Sequence, residues 1–296
     1  MTTDPAPPLF LLSGDPLRPR RSDPHFAAEA AAVRTAGAAT VVLDHEALVA
    51  RDAAAAVSRV PRDAGPAWYR GWMLPADRYA ALAAALIDRG CGLLTSPAAY
   101  RAAHELPGWY ATFRALTPES AWLPWTPGRA PEDAALARLA GPFGDRPVVV
   151  KDWVKSRKHE WEEAAYVPNA ADTGRLASVV GRFLALQEEF LTGGVVLRAF
   201  EDFDRTVGEA RVWWVDGEPV LTGPHPDTPQ LCPAPDLTHL APLVRELGAR
   251  FLTTDLALRT DGSWRVVEVG DGQVSGLPTG ADHRALFEAL VTAGAR

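Results

Sequence analysis

The chain is 296 residues long, 47% hydrophobic and 23% charged, with a formal net charge of −7 at pH 7 and a pI near 5.5. That length predicts two domains with sizeable cores, and the acidic balance excludes a broad nucleic-acid or anionic-membrane surface, because both need a basic face that releases counterions. Only Cys91 and Cys232 occur, without a CxxC pair, which excludes a disulfide framework or a zinc ribbon and fits a reducing cytoplasm.

The N-terminal residues MTTDPAPPLFLLSG carry no basic n-region, and no later stretch approaches the roughly 20 apolar residues of a membrane span. The chain is expected to be neither exported nor membrane-embedded. Leu9 to Ser13 reads as a buried strand, followed by Asp23-Pro24 as the cap and first position of a helix that Gly37 closes. Thr40 to Asp44 and Ala67 to Gly71 read as further strands, and Pro75 to Arg89 as a helix ended by Gly90 before the strand CGLLT. Strands alternating with helices predict a small parallel sheet covered on both faces. No GxGxxG follows the first strand, so the dinucleotide fingerprint is missing. Six prolines between Thr117 and Pro147 mark a domain junction with one short helical stretch near Glu132 to Leu139. Beyond it come the strand PVVVK, a helix from about Thr173 to Phe190, the strand VVLRAF and two hairpins. The five prolines from Pro224 to Pro235 read as a loop, either a lid over a site or a plain connector.

Lysine is confined to one place. Lys151, Lys155 and Lys158 all lie in VVVKDWVKSRKHEW, and 27 of the 30 basic residues are arginine. A compact ammonium on a thin stem reaches between phosphate oxygens where a planar guanidinium does not, so the cluster points to anion contact rather than to a solvated charge run.

The segment FLTTDLALRTDGSWRVVEVGDG predicts a hairpin, with Asp261-Gly262 as a two-residue type I′ turn. If Thr260 faces Ser263, Asp255 lies opposite Glu268 on one face, and two such carboxylates repel unless a cation sits with them. A hard divalent ion held by one or two carboxylates and phosphate oxygens meets that need, with Asp271 as a possible third oxygen. In the other hairpin, EARVWWVDGEPVL, Arg211 and Trp213 share a face by the period of two. Arg211 is placed to clamp phosphate, and Trp213 to pack in the core. Other chemistries find less: HEWEE fails HExxH at Glu163, and neither GxSxG nor GxxxxGK[ST] occurs.

The quoted lysine stretch, together with VVLRAFEDF, EARVWWVDGEPV and VVEVGDGQVSGLP, resembles the arginine-to-lysine (R-to-K) clade of the ATP-grasp superfamily, specifically over Val148 to Pro278 and only in architecture before Thr117. That clade includes or lies near the eukaryotic cell-division-cycle protein that assembles translation initiation factor 2. The resemblance implies an α/β (α+β) ATP-grasp fold of two lobes. A Rossmann-like pre-ATP-grasp domain would span 1–116, a Pro-rich junction 117–147, and the ATP-grasp domain 148–296, with a lysine-bearing lobe near 148–197 and a metal-binding lobe near 198–296. By position, Lys151 and Lys155 would contact ATP phosphates and the strand at Arg198 would lie at the adenine cleft. Arg211 would face the phosphates, either Glu201 or Asp202 would bind ribose, and Asp255, Glu268 and Asp271 would hold magnesium. The family commonly ends in Glu-x-Asn, whereas Gly270 stands in the asparagine place here.

The implied activity is ATP- and magnesium-dependent ligation of a carboxylate to an amine through an acyl phosphate, forming a peptide or modifying a protein. Its partners would be small-molecule, peptide or protein acids and amines, with Gln273 and Ser275 lining the acceptor pocket or simply forming a turn. The alternatives are an ATP-binding assembly factor that uses the nucleotide as a conformational clamp, and a kinase-like phosphotransferase of the same fold.

Overall fold

The computed structural model of the chain describes residues 6–125, 128–129, 131–231, 233–278 and 281–296. The chain folds into two compact units that are not consecutive stretches: one comprises residues 1–104, 206–256 and 268–296, the other 105–205 and 257–267.

The first stretch runs β1 (Leu9–Asp15), β2 (Arg18–Ser22), α1 (Ala27–Thr35), β3 (Thr40–Leu43), α2 (His45–Val49), α3 (Ala53–Ala56), β4 (Gly65–Arg70), α4 (Ala76–Ile87), β5 (Cys91–Leu93) and α5 (Pro97–His104). The expected parallel sheet is present. β1 pairs in parallel with β3 and β4, β4 pairs with β5, and β2 adds an antiparallel arm. A continuous apolar run suits β1 because both of its faces are covered: Leu9 and Leu11 join Leu43, Tyr69 and Leu82, while Phe10 joins Val33 and Trp68. Asp23 accepts a hydrogen bond from His25 N at 2.8 Å, and Gly37 ends the following helix with φ +83.

The second stretch runs α6 (Leu106–Phe113), β6 (Ser120–Pro124), α7 (Asp133–Ala140), β7 (Val148–Lys151), β8 (Tyr166–Val167), α8 (Thr173–Gln187) and β9 (Gly194–Ala199). It forms an antiparallel sheet ordered β6-β9-β7-β8. The proline-rich residues expected as a junction contribute β6 and α7 to this unit. Val148, Val150, Val195 and Leu197 pack with Leu176, Val179 and Phe183 of α8. Strand alternation therefore turns Lys151 of β7 and Arg198 of β9 to the opposite face of the sheet.

The third stretch runs β10 (Glu209–Val215), β11 (Glu218–Pro224), α9 (Ala241–Leu247), β12 (Phe251–Leu258), β13 (Trp264–Asp271) and α10 (Arg284–Gly294), with strands ordered β11-β10-β12-β13. Asp216 and Gly217 adopt φ 47 and 81, and Val215 faces Glu218, as a two-residue type I′ turn requires. Trp213 is fully buried with Phe10, Trp68, Phe251 and Phe287, the core role expected of it. Burying such a ring contributes roughly 1.5–3 kcal/mol.

The last hairpin departs from expectation. Arg259 N donates to Ser263 O at 2.9 Å and Gly262 N to Arg259 O at 2.9 Å, so the loop holds three residues, 260–262, and not two. Only Gly262, at φ +87, is left-handed; Asp261 instead accepts from Ser263 N at 3.0 Å and from its hydroxyl at 2.6 Å. That is a type I turn closed by a glycine bulge. At the open end Gly272 N donates to Phe251 O at 3.2 Å. The ladder thus shifts by one residue along its length: the turn departs from the expected register, whereas the Phe251–Gly272 bond at the open end fits the one that sets Asp255 against Glu268. Among the described residues no helix is long and apolar enough to cross a membrane.

Candidate functional site

Lys151, Lys155, Lys158, Arg198, Glu201 and Asp202 belong to the second unit, and Arg211, Asp255, Glu268, Asp271, Gln273 and Ser275 to the first. Each group has its own geometry.

In the second unit β7 ends on Lys151, which is buried to 5% exposure, with Nζ 3.4 Å from Val154 O. The next residue organises the loop. Asp152, fully buried, accepts from Val154 N at 2.7 Å and Lys155 N at 2.5 Å through one oxygen, and from Gln187 Nε2 at 3.0 Å and Thr192 N at 3.2 Å through the other. A carboxylate with four donors is well satisfied in a dry place, and it fixes the turn that separates Lys151 from Lys155. Lys155 and Lys158 are exposed. Asp152 and Gln187 were missed from the sequence; an acid directly following a strand-end lysine was the available signal.

Arg198 is buried and turned inward. Its guanidinium donates to Val267 O and to the Thr117 hydroxyl, both at 2.5 Å, and to Val266 O at 3.1 Å, and it lies over the Trp109 ring. Glu201 is gripped by Arg265 through two 2.9 Å bonds, whereas Asp202 is exposed.

In the first unit Arg211 and Asp255 come together across β10 and β12. Arg211 Nε meets Asp255 Oδ1 and its Nη2 meets Oδ2, each at 2.7 Å, with side-chain exposures of 12% and 5%. Burial alone would lower the Arg211 pKa, but hydrogen bonding to Asp255 and the charges of Asp255, Glu268 and Glu209 raise it above the ordinary value. Glu268 therefore acts on the same guanidinium, and it is half-buried. His225, at the start of the proline-rich loop, brings Nε2 to 3.5 Å from Asp255 Oδ2. Asp227 N donates to its Nδ1 at 3.2 Å, which leaves Nε2 as the protonated nitrogen facing Asp255 in the neutral ring. Sequence reading passed over His225; a histidine just beyond β11, the strand paired with the one that carries Arg211, was its signal.

Asp271 and Gln273 form a different network. Asp271 Oδ1 accepts from Gln273 N and Nε2, both at 2.9 Å. Gln273 Oε1 accepts from Tyr69 N at 3.0 Å, its Nε2 donates to the Tyr79 hydroxyl at 3.0 Å, and its carbonyl accepts from Arg70 at 2.8 Å and Gly71 N at 3.2 Å. Both side chains are fully buried, and burial pushes Asp271 up to about 7. Ser275, half-buried, donates to Asp271 O at 2.9 Å and pairs with the Thr253 hydroxyl at 2.8 Å. Among the described residues no three acids, histidines or cysteines converge as a metal site of protein ligands alone would require.

Residues 141–290 match the ATP-grasp domain of the R-to-K clade, family 3. Among solved structures, the chain is similar to the D-cycloserine synthetase DcsG, with a TM-score of 0.64 and 21% identity over 96% of this chain and 98% of that one. It is also similar to a RimK domain ATP-grasp protein from Sphaerobacter thermophilus DSM 20745, with a TM-score of 0.63 and 16% identity over 97% and 99%. The ATP-grasp ligase PsnB, solved with a minimal precursor, Mg and ADP, gives a TM-score of 0.58 and 16% identity over 97% and 98%. These likenesses give the chain the ATP-grasp fold over nearly its whole length, including the residues before 117. No curated protein sequence matches it.

Proposed function

We propose, for a chain that belongs to family 3 of the R-to-K clade of ATP-grasp domains, an ATP- and magnesium-dependent ligase activity that joins a carboxylate to an amine through an acyl phosphate. The observation that carries this reading is the buried Arg211–Asp255 fork with Glu268 acting on it. A desolvated guanidinium aligned for two-point contact with a carboxylate is equally aligned for two phosphate oxygens.

The donor set suits magnesium, which takes one or two protein carboxylates and completes its shell with phosphate oxygens and water; Asp255 and Glu268 would hold it. When bound, it would offset the charge that develops on the phosphate oxygens. Asp271 is left out of this set, since its Oδ1 is engaged by Gln273 and burial favours its neutral form. Arg211 would hold the transferring phosphoryl group, and in the other unit Lys151, on the loop that Asp152 clasps, and Lys155 would offer charge to ATP phosphates. The Arg265 grip on Glu201 supports Asp202 as the ribose acid, and the carbonyl contacts of Arg198 support a bracing role. Gln273, buried and fully bonded, supports a structural role, which leaves Ser275 as the candidate acceptor contact.

In the reaction a carboxylate oxygen attacks the γ-phosphorus and the bond to ADP breaks. The amine nitrogen then attacks the acyl carbon, phosphate leaves with its bonding pair, and the amine proton passes to solvent. PsnB and the macrocyclase MdnC were each solved with a precursor peptide, which supports peptide carboxylates and amines among the substrate candidates.

The test is phosphate release from Mg-ATP with pooled amino acids, peptides and candidate proteins. Release that needs both an acid and an amine, with an amide product by mass spectrometry, is expected. Tight Mg-ATP binding without product under any acceptor would instead favour the clamp reading, which Gly270 in the asparagine place supports.

A further inference from the structure

A charged patch in the first unit lies apart from these residues. Arg18, Arg20 and Arg21 follow one another along β2, and Arg59 joins them from the turn after α3, its guanidinium donating to Pro19 O. With Pro19 they line an open depression of about 610 Å³ that has no carboxylate among the described residues of its wall. All four arginines are exposed, and Arg18, Arg20 and Arg21 make no ion pair or side-chain hydrogen bond with a described residue. The neighbouring acid, Asp15, turns Oδ1 to Leu17 N at 2.8 Å. Leu17 itself is 91% exposed beside the arginines.

Ordinary surfaces intersperse charges of both signs, because like charges side by side repel. Here a chain of net charge −7 gathers four cations around a depression with no acid among its described lining residues, and sets a bare leucine next to them. Guanidinium forks match carboxylates in two-point geometry, and an apolar side chain matches Leu17. Nucleic acid would use the arginines, gain nothing from Leu17, and meet the acidic remainder of the chain unfavourably. We propose that this patch docks an acidic peptide segment bearing an apolar side chain among its carboxylates.

Fluorescence anisotropy tests this without ATP, so its outcome is independent of the ligase reading. The probe is a fluorescein-labelled peptide with a leucine flanked by glutamates, compared with its glutamine counterpart and a short single-stranded oligonucleotide. The acidic peptide is expected to bind and to weaken as salt rises. Arg20→Ser combined with Arg21→Ser is expected to weaken it roughly fivefold, the loss of two exposed charge pairs. Leu17→Ser should weaken it too, and because these side chains are exposed the melting temperature should not move. Equal binding of the glutamine peptide, unchanged affinity in the double variant, or tighter binding of the oligonucleotide would each overturn the proposal.

Discussion

The substitution Asp271→Asn isolates one buried charge. Asp271 is fully buried, its carboxyl is pushed up to about 7 from 3.8 by burial, and hydrogen bonds from Gln273 and the charge of Arg70 only partly oppose that. Among the described residues its Oδ2 has no hydrogen-bond partner. Below pH 3.8 both folded and unfolded states hold the proton and burial costs nothing. As pH rises from there to about 7 the unfolded state releases its proton first, so stability falls, and above 7 the loss is complete. A rise from 3.8 to about 7 corresponds to about 4 kcal/mol above pH 7 and about 1.5 kcal/mol at pH 5. Asparagine keeps the Oδ1 acceptor for both Gln273 donors and removes the charge. The stability of Asp271→Asn relative to the parent should therefore rise by roughly 2–3 kcal/mol between pH 5 and pH 8. Urea unfolding followed by tryptophan fluorescence at each pH measures it, and taking the difference between the two chains cancels every other titrating group. A gap that stays flat or narrows as pH rises would refute a buried, proton-holding Asp271.

Lys151→Ala should weaken ATP binding far more than Lys158→Ala, because the first ammonium is buried at a strand end and the second is exposed; titration calorimetry showing equal losses would contradict the ranking. Glu268→Gln should abolish magnesium-dependent turnover while circular dichroism and melting stay those of the parent, and unchanged activity at saturating Mg-ATP would remove Glu268 from the metal set. Asp152→Ala strands the buried donors of Gln187 and Thr192 and should cost roughly 2–4 kcal/mol in urea melts, with a loss of ATP affinity as the Lys151 loop opens.

Much of the fold was legible because it follows local rules. The apolar run at Leu9–Leu12 with Asp23-Pro24 and Gly37 behind it fixed a strand and a helix, and Asp216-Gly217 fixed a turn whose two residues both need positive φ. Asp261-Gly262 looked the same and folded differently. The dipeptide does not state how many residues precede the glycine in the loop, and the bond from Asp261 to Ser263 favours the wider turn. Position says less where burial decides. Gln273 reads from the sequence as lining an acceptor pocket or forming a simple turn, and Asp271 as a possible metal oxygen; the partners that hold Gln273, Tyr69, Arg70 and Tyr79, lie some 200 residues earlier, and no local pattern links them.

The acids of the last hairpin carry the most instructive difference. Two carboxylates on neighbouring positions require a cation, and from the sequence alone a metal was the economical candidate. The folded chain supplies one of its own, because β10 lies beside β12 and brings Arg211 onto both oxygens of Asp255. On the proposed reading a free metal ion must compete with a guanidinium already seated in a desolvated position, so magnesium alone should bind weakly. A triphosphate would change that balance: it would offer Arg211 oxygens of higher negative charge, and the carboxylate that Arg211 left would then be open to an ion arriving with the nucleotide. The same pair would thereby tie metal binding to the presence of ATP, a coupling that a site made of acids alone would lack.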